Sequence, residues 1–281
     1  MNTTFIALSS MSGIVCASDT DHTIYQLSQQ RPLAIAVNSY SQIPWDSIID
    51  TYKRKKRPES VATIKECASD FVNSFPCLLE DSWSNLTIED RNIIFMGYDQ
   101  DDLFPSVYDL EMSWNETERR TEITNELFTQ ISHQKRTSIN LLGNLESVST
   151  ILWGATRETK CFLLKKHLEQ FDIYKQRVLD KFEGTEFEEF VTQKLSEYNP
   201  VMAFVNVINE ATDETFNEIQ RGIDSFSIEE MVNAAETIVD AEVRLDHLSS
   251  GRMGPLHSTR EIAVITRVEG LTWIKHSLYA Q

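Results

Sequence analysis

Hydrophobic positions along this chain follow two different periods. Up to residue 37 they come in short runs, at 3–8, 14–17, 23–27 and 33–37, rich in β-branched and apolar residues. Small polar turns at 10–13, 19–22 and 28–32 part them. Runs of that length between such turns predict four short strands in antiparallel hairpins. A helical spacing follows: Pro44 suits a first turn, Ile48, Ile49 and Tyr52 share a face, and the basic run 53–57 ends the segment before Pro58. Residues 60–74 predict a second helix with Val61, Ile64, Ala68 and Phe71 inward, stopped at Pro76. Residues 92–99 and 104–112 read as two strands around an acidic turn, with further strand pattern near 121–131. Residues 138–144 then lead into a helix over 145–153.

From 156 to 247 the spacing is helical throughout. Phe162, Leu168, Phe171, Tyr174, Val178 and Phe182 mark a long amphipathic helix that Gly184 breaks. Phe187, Phe190, Val191, Leu195 and Tyr198 mark another, ended by Asn199 and Pro200. Residues 201–209 and 212–221 predict two more. Ser227 and Glu230 form a capping box opening a last helix with Met231, Ala235, Val239 and Leu245 on one face. The strand period then returns at 261–266 and 270–275.

Composition narrows the classes. At 281 residues, 41% hydrophobic and 25% charged, the chain is ordinary globular material with room for a large core. A net charge of -17 and a pI near 4.8 disfavour nucleic acid and anionic membranes as partners. No apolar run approaches the roughly 18 residues of a membrane span, and no basic leader opens the chain. The four cysteines, Cys16, Cys67, Cys77 and Cys161, sit singly, without disulfide or zinc spacing, as expected of a cytoplasmic protein. The six histidines lack metal-binding spacing and no Gly-x-Ser-x-Gly elbow occurs, so neither a metal, nor a cofactor, nor a serine triad is expected.

The opening strands carry a likeness to a known family. Thr3-Thr4, then Gly13-Ile14-Val15-Cys16-Ala17-Ser18-Asp19, then Thr23-Ile24-Tyr25-Gln26-Leu27 and Leu33-Ala34-Ile35-Ala36-Val37 resemble the N-terminal strands of proteasome β-subunits and the bacterial heat-shock-locus peptidase. Those are N-terminal-nucleophile (Ntn) hydrolases. Three other segments are similar to a bacterial proteasome-like branch of that superfamily. They are Pro44-Trp45-Asp46-Ser47-Ile48-Ile49, Phe104-Pro105-Ser106-Val107-Tyr108, and the ending from Glu261 to Lys275. The resemblance implies an α+β fold, a four-layer αββα sandwich, here as a single domain over 1–281 with a helical elaboration at 156–222.

It also implies candidate chemistry. Thr3 matches the nucleophile and Asp19 the aspartate that assists it. An N-terminal threonine serves as its own pair, its hydroxyl attacking while its free amine takes the proton. Here Met1 and Asn2 precede Thr3, so the amine would need release at the Asn2–Thr3 bond. The family's lysine position is occupied by Thr23, and no lysine occurs before Lys53. Its serine position is occupied by Asn144, and residues 251–258 offer no counterpart to its distal Asp-x-x-Ser-Gly-Gly element. The expectation is a proteasome-like protein with a degenerate catalytic site, forming homo-oligomers as a ring or stacked dimers. A protein partner or an ATPase is a further expectation, with a structural or regulatory binding role. The alternative is a threonine peptidase or amidase matured at Thr3. Plainer readings stay open: Thr3 as an edge-strand residue, Asp19 as a turn cap, and 53–57 as a solvated helix end.

Overall fold

The computed structural model describes residues 4–21, 23–38, 43–56, 58, 61–79, 92–115, 120–143, 152, 157–250 and 259–276. Two compact units emerge, one made of Met1–Val148 with Gln220–Gln281 and the other of Ser149–Ile219.

The first unit is mixed α+β, with two five-stranded antiparallel sheets. Strands β1 (Thr4–Ser10), β2 (Gly13–Ser18), β8 (Thr137–Gly143), β9 (Glu261–Thr266) and β10 (Gly270–Lys275) form one sheet in the order β10-β9-β2-β1-β8. Strands β3 (Ile24–Ser28), β4 (Leu33–Val37), β5 (Asn92–Gly97), β6 (Ser106–Asn115) and β7 (Arg120–Gln130) form the other in chain order. Every residue of β1, β2 and β4 is buried. Strands covered on both faces read as continuous apolar runs, which is why these were so plain in the sequence.

One side of β1 explains the meeting of the sheets. Phe5, Ala7, Ile14 and Cys16 of the first sheet pack with Ala34, Ala36, Ile94 and Met96 of the second in one core cluster. Across it the Cys16 thiol donates to Met96 Sδ at 3.1 Å. Ile6 and Leu8 lie on the opposite face of β1, and the helix α7 (Ile228–Ser250) packs on β1, β2 and β9. Its predicted capping box is present, with Ser227 N–H on Glu230 Oε2 at 2.7 Å and Glu230 N–H on Ser227 Oγ at 3.3 Å.

The outer face of the second sheet holds the other core cluster. Leu33, Ile35, Ile93, Phe95, Tyr108 and Leu110 alternate with the residues of the inner face and meet α1 (Trp45–Lys56) and α2 (Ile64–Ser74). Aromatic rings fill it, with Phe71 set edge-on to Phe95 at 5.6 Å and to Tyr52 at 4.9 Å. Each such ring, fully buried, contributes roughly 1.5–3 kcal/mol. Thr63 caps α2 reciprocally with Glu66. The helix α2 ends at Ser74, ahead of Pro76 as predicted, and after the turn at Phe75 Pro76 opens a short helix, α3 (Pro76–Leu79), since proline is tolerated in a first turn. Gly97 has φ +151°, and a Cβ there would run into the carbonyl of Pro32.

The second unit is helical, with α4 (Arg157–Phe182), α5 (Glu188–Glu197) and most of α6 (Pro200–Asp224). The predicted pair over 201–209 and 212–221 is one continuous helix, because Glu210 and Ala211 offer no break. Phe171 packs tilted against Tyr198 with centroids 5.2 Å apart, and His167 likewise against Phe204 at 5.3 Å. Among the described residues of this unit only Leu152 and Thr212 are buried, and both apolar core clusters belong to the first unit. The helix expected over 145–153 lies, but for Leu152, outside the described residues.

Candidate functional site

Two of the four positions singled out by sequence are described. Thr3 and Asn144 fall outside the described residues, as does the stretch 251–258. Asp19 and Thr23 lie at neighbouring corners of the first unit, where β2 ends and β3 begins.

Asp19 is tied to the start of β1. Thr4 N–H donates to Asp19 Oδ1 at 2.8 Å, and Asp19 N–H donates back to the Thr4 carbonyl at 3.2 Å. The Thr4 side chain bonds the same carboxylate. The aspartate thus clamps the peptide unit that joins residues 3 and 4. Burial nevertheless pushes its carboxyl up from 3.8 to about 6, outweighing the Thr4 hydrogen bonds and the charge of Arg260. A carboxylate beside a close ammonium would move the other way.

Thr23, which the resemblance would set at the family's lysine position, is fully buried among hydroxyls. Its Oγ1 is 2.7 Å from Thr20 Oγ1 and accepts from Ser18 Oγ at 3.0 Å. Ser18 and Thr23 are 0% exposed and Thr20 is 5% exposed, so the three hydroxyls are buried together.

Sequence reasoning missed the third component. Glu261, at the head of β9 opposite Ser18, is 0% exposed and accepts from Thr23 N–H and Ile24 N–H through Oε2, both at 3.1 Å. Its other oxygen lies 3.3 Å from His276 Nδ1, and the His276 ring stacks on Trp273 at 4.2 Å. Next to it Arg260 pairs with Asp21 at 2.8 Å and donates its N–H to the Ser18 carbonyl at 2.8 Å. The available signal was a carboxylate and a guanidinium heading an otherwise apolar strand. Both bind the corner that carries Asp19 and Thr23, from far along the chain.

A second concave feature lies at the other edge of the first sheet. Asn92, Asp109, Glu111, Asn125, Leu127 and Leu142 line a cavity of about 310 Å³ beside Gly143, the register partner of Thr4. Burial alone pushes the Asp109 carboxyl up from 3.8 to about 6. Among the described residues no three His, Cys, Asp or Glu side chains converge as metal ligands. No helix of the described residues is long and apolar enough to cross a membrane.

No family model matches this chain, and no curated protein does. Among solved structures it is similar to Anbu (ancestral beta-subunit) from Yersinia bercovieri, at 16% identity and a TM-score of 0.30. That alignment covers 49% of this chain and 57% of the other. It is also similar to a selenomethionine-labelled Anbu (Gly-1) mutant from Hyphomicrobium sp. strain MC1, at 12% identity and a TM-score of 0.27, over 49% of this chain and 59% of that one. The chain therefore spans less than two thirds of the length of either.

Proposed function

We propose that this chain is a proteasome-like subunit on the four-layer αββα sandwich of Ntn hydrolases, with a degenerate catalytic site and a structural or regulatory binding role in a homo-oligomer. The observation that carries the reading is the corner formed by Ser18, Asp19, Thr20 and Thr23. An attacking threonine hydroxyl must lose its proton, and a nearby cation favours that loss while a lone carboxylate opposes it. At this corner burial outweighs the Thr4 hydrogen bonds and the Arg260 charge on the Asp19 carboxylate, and Thr23, matched to the family's lysine, stands among the Ser18 and Thr20 hydroxyls. The layering supports the fold: two antiparallel sheets share one apolar core, with α1 and α2 on one outer face and α7 on the other. The charge of -17 favours protein partners, an ATPase among them, over nucleic acid or an anionic membrane.

A working threonine peptidase or amidase using Thr3 is the competing reading, favoured by the Asp19 clamp on the very peptide that follows Thr3. A Thr3→Ala variant separates the two. The binding role predicts that it assembles and supports its biological process as the wild type does. Normal assembly with loss of that process would make Thr3 the nucleophile.

A further inference from the structure

The unit Ser149–Ile219 leaves many of its large apolar side chains exposed. Fifteen large apolar side chains are exposed among the described residues, and ten of them lie between Phe162 and Val207, at 39–63% exposure. Five are aromatic: Phe162, Tyr174, Phe187, Phe190 and Tyr198. They are not scattered. Phe162 and Ile173, and likewise Leu163 and Tyr174, stand eleven residues apart on α4, three helical turns on one face. Aromatic side chains present about 150–250 Å² each, so ten large apolar groups at roughly half exposure amount to on the order of 800 Å². The largest apolar patch of an ordinary monomer is about 300–600 Å². One side of a stable interface is about 800 Å².

Charge identifies the occupant. Residues 157–182 carry seven Lys or Arg against four Asp or Glu, a net of +3. Residues 183–219 carry one lysine against nine acidic residues, a net of -8. The same short unit thus holds a basic helix and an acidic pair, each bearing part of the apolar surface. Lys166 brings its ammonium 6.0 Å over the exposed Phe162 ring, so the cations border the apolar stripe directly. A surface that carries apolar side chains together with charges of both signs can be complementary to itself under a two-fold axis.

We infer that the helices α4, α5 and α6 form a self-association surface, pairing with the same helices of a second copy so that the basic α4 of one faces the acidic α5 and α6 of the other. This deepens the assembly part of the function proposed above by naming the surface, and it rests on that reading.

Analytical ultracentrifugation of the full chain tests it, with circular dichroism and urea unfolding to verify that each variant is folded. The wild type is expected to self-associate at low micromolar concentration. Tyr174→Glu with Phe190→Glu, both at exposed positions, is expected to weaken this at least about tenfold, the loss that central aromatics carry at interfaces. Charge reversal gives an internal control. Lys166→Glu with Arg177→Glu, and separately Glu210→Lys with Glu214→Lys, should each weaken association, and mixing the two variants should restore it. A folding defect would not be rescued by mixing. Association unchanged by the aromatic substitutions, or reversed-charge variants that fail to restore each other, overturns this surface while leaving assembly itself standing. A wild type that stays monomeric at about 100 µM, well above the affinities expected of such an area, overturns both.

Discussion

The electrostatics of Asp19 give a prediction that can be followed in one pair of proteins. Burial moves its carboxyl from 3.8 to about 6 in the folded chain. Each unit is about 1.4 kcal/mol, so the full shift is worth about 3 kcal/mol, and partial exposure reduces this to about 2 kcal/mol. The sign follows from the raised value. The folded state binds the proton more tightly than the unfolded chain, so the contribution is fully present below about pH 4 and is lost as pH rises through 6. Asp19→Asn keeps an oxygen for Thr4 N–H and cannot ionise. Urea unfolding of both proteins from pH 4 to 7.5 should therefore show the wild type losing about 2 kcal/mol relative to the variant across that interval. Arg260→Gln, which removes the favourable charge on Asp19, should move the midpoint of this loss above that of the wild type. A difference between the wild type and Asp19→Asn that is flat with pH, or that grows in favour of the wild type as pH rises, would refute the reasoning. It would mean that hydrogen bonds or a nearby charge offset the burial of Asp19 in full.

Three further outcomes follow from the same structure. Asp109→Asn relieves a carboxyl that burial raises to about 6, and should stabilise the chain by about 1–2 kcal/mol at pH 8 and hardly at pH 4.5, read by the same unfolding curves. Glu261→Ala leaves Thr23 and Ile24 N–H buried without their acceptor and should lower stability by about 2–4 kcal/mol, with hydrogen exchange at those two amides accelerating most. Gly97→Ala meets both a left-handed backbone and the Pro32 carbonyl, and should lower thermal stability by about 3 kcal/mol or more, measurable by calorimetry.

What the sequence disclosed depended on how local each signal was. β1, β2, β4 and β9 stood out because burial on both faces writes a largely apolar run between turn residues, as Leu33–Val37 shows. The Ser227 and Glu230 cap was legible because its two partners are three residues apart. β8 was passed over because Ser138 and Asn140 alternate with apolar residues and dilute the run. The break imagined between 209 and 212 came from polarity on a helix that is largely exposed, where polar residues carry no boundary information. At the candidate site Asp19 was found because it closes the run Gly13-Ile14-Val15-Cys16-Ala17-Ser18-Asp19 that carries the family resemblance. Glu261 was missed because the two N–H groups it meets lie more than two hundred residues away, and only the pairing of β2 with β9 brings them together. The apolar stripes of α4 and α5 were equally legible, but a helical period states which face is apolar and not what covers it.

The degenerate-site reading is tested most directly by the intact mass of the assembled protein, with and without a peptide epoxyketone. That reagent closes on a threonine only when its amine and hydroxyl are both free. The predicted result is a chain uncut at the Asn2–Thr3 bond and without adduct, in the presence of candidate partners as in their absence. A mass lacking Met1 and Asn2 and carrying one inhibitor would contradict it and make Thr3 a working nucleophile.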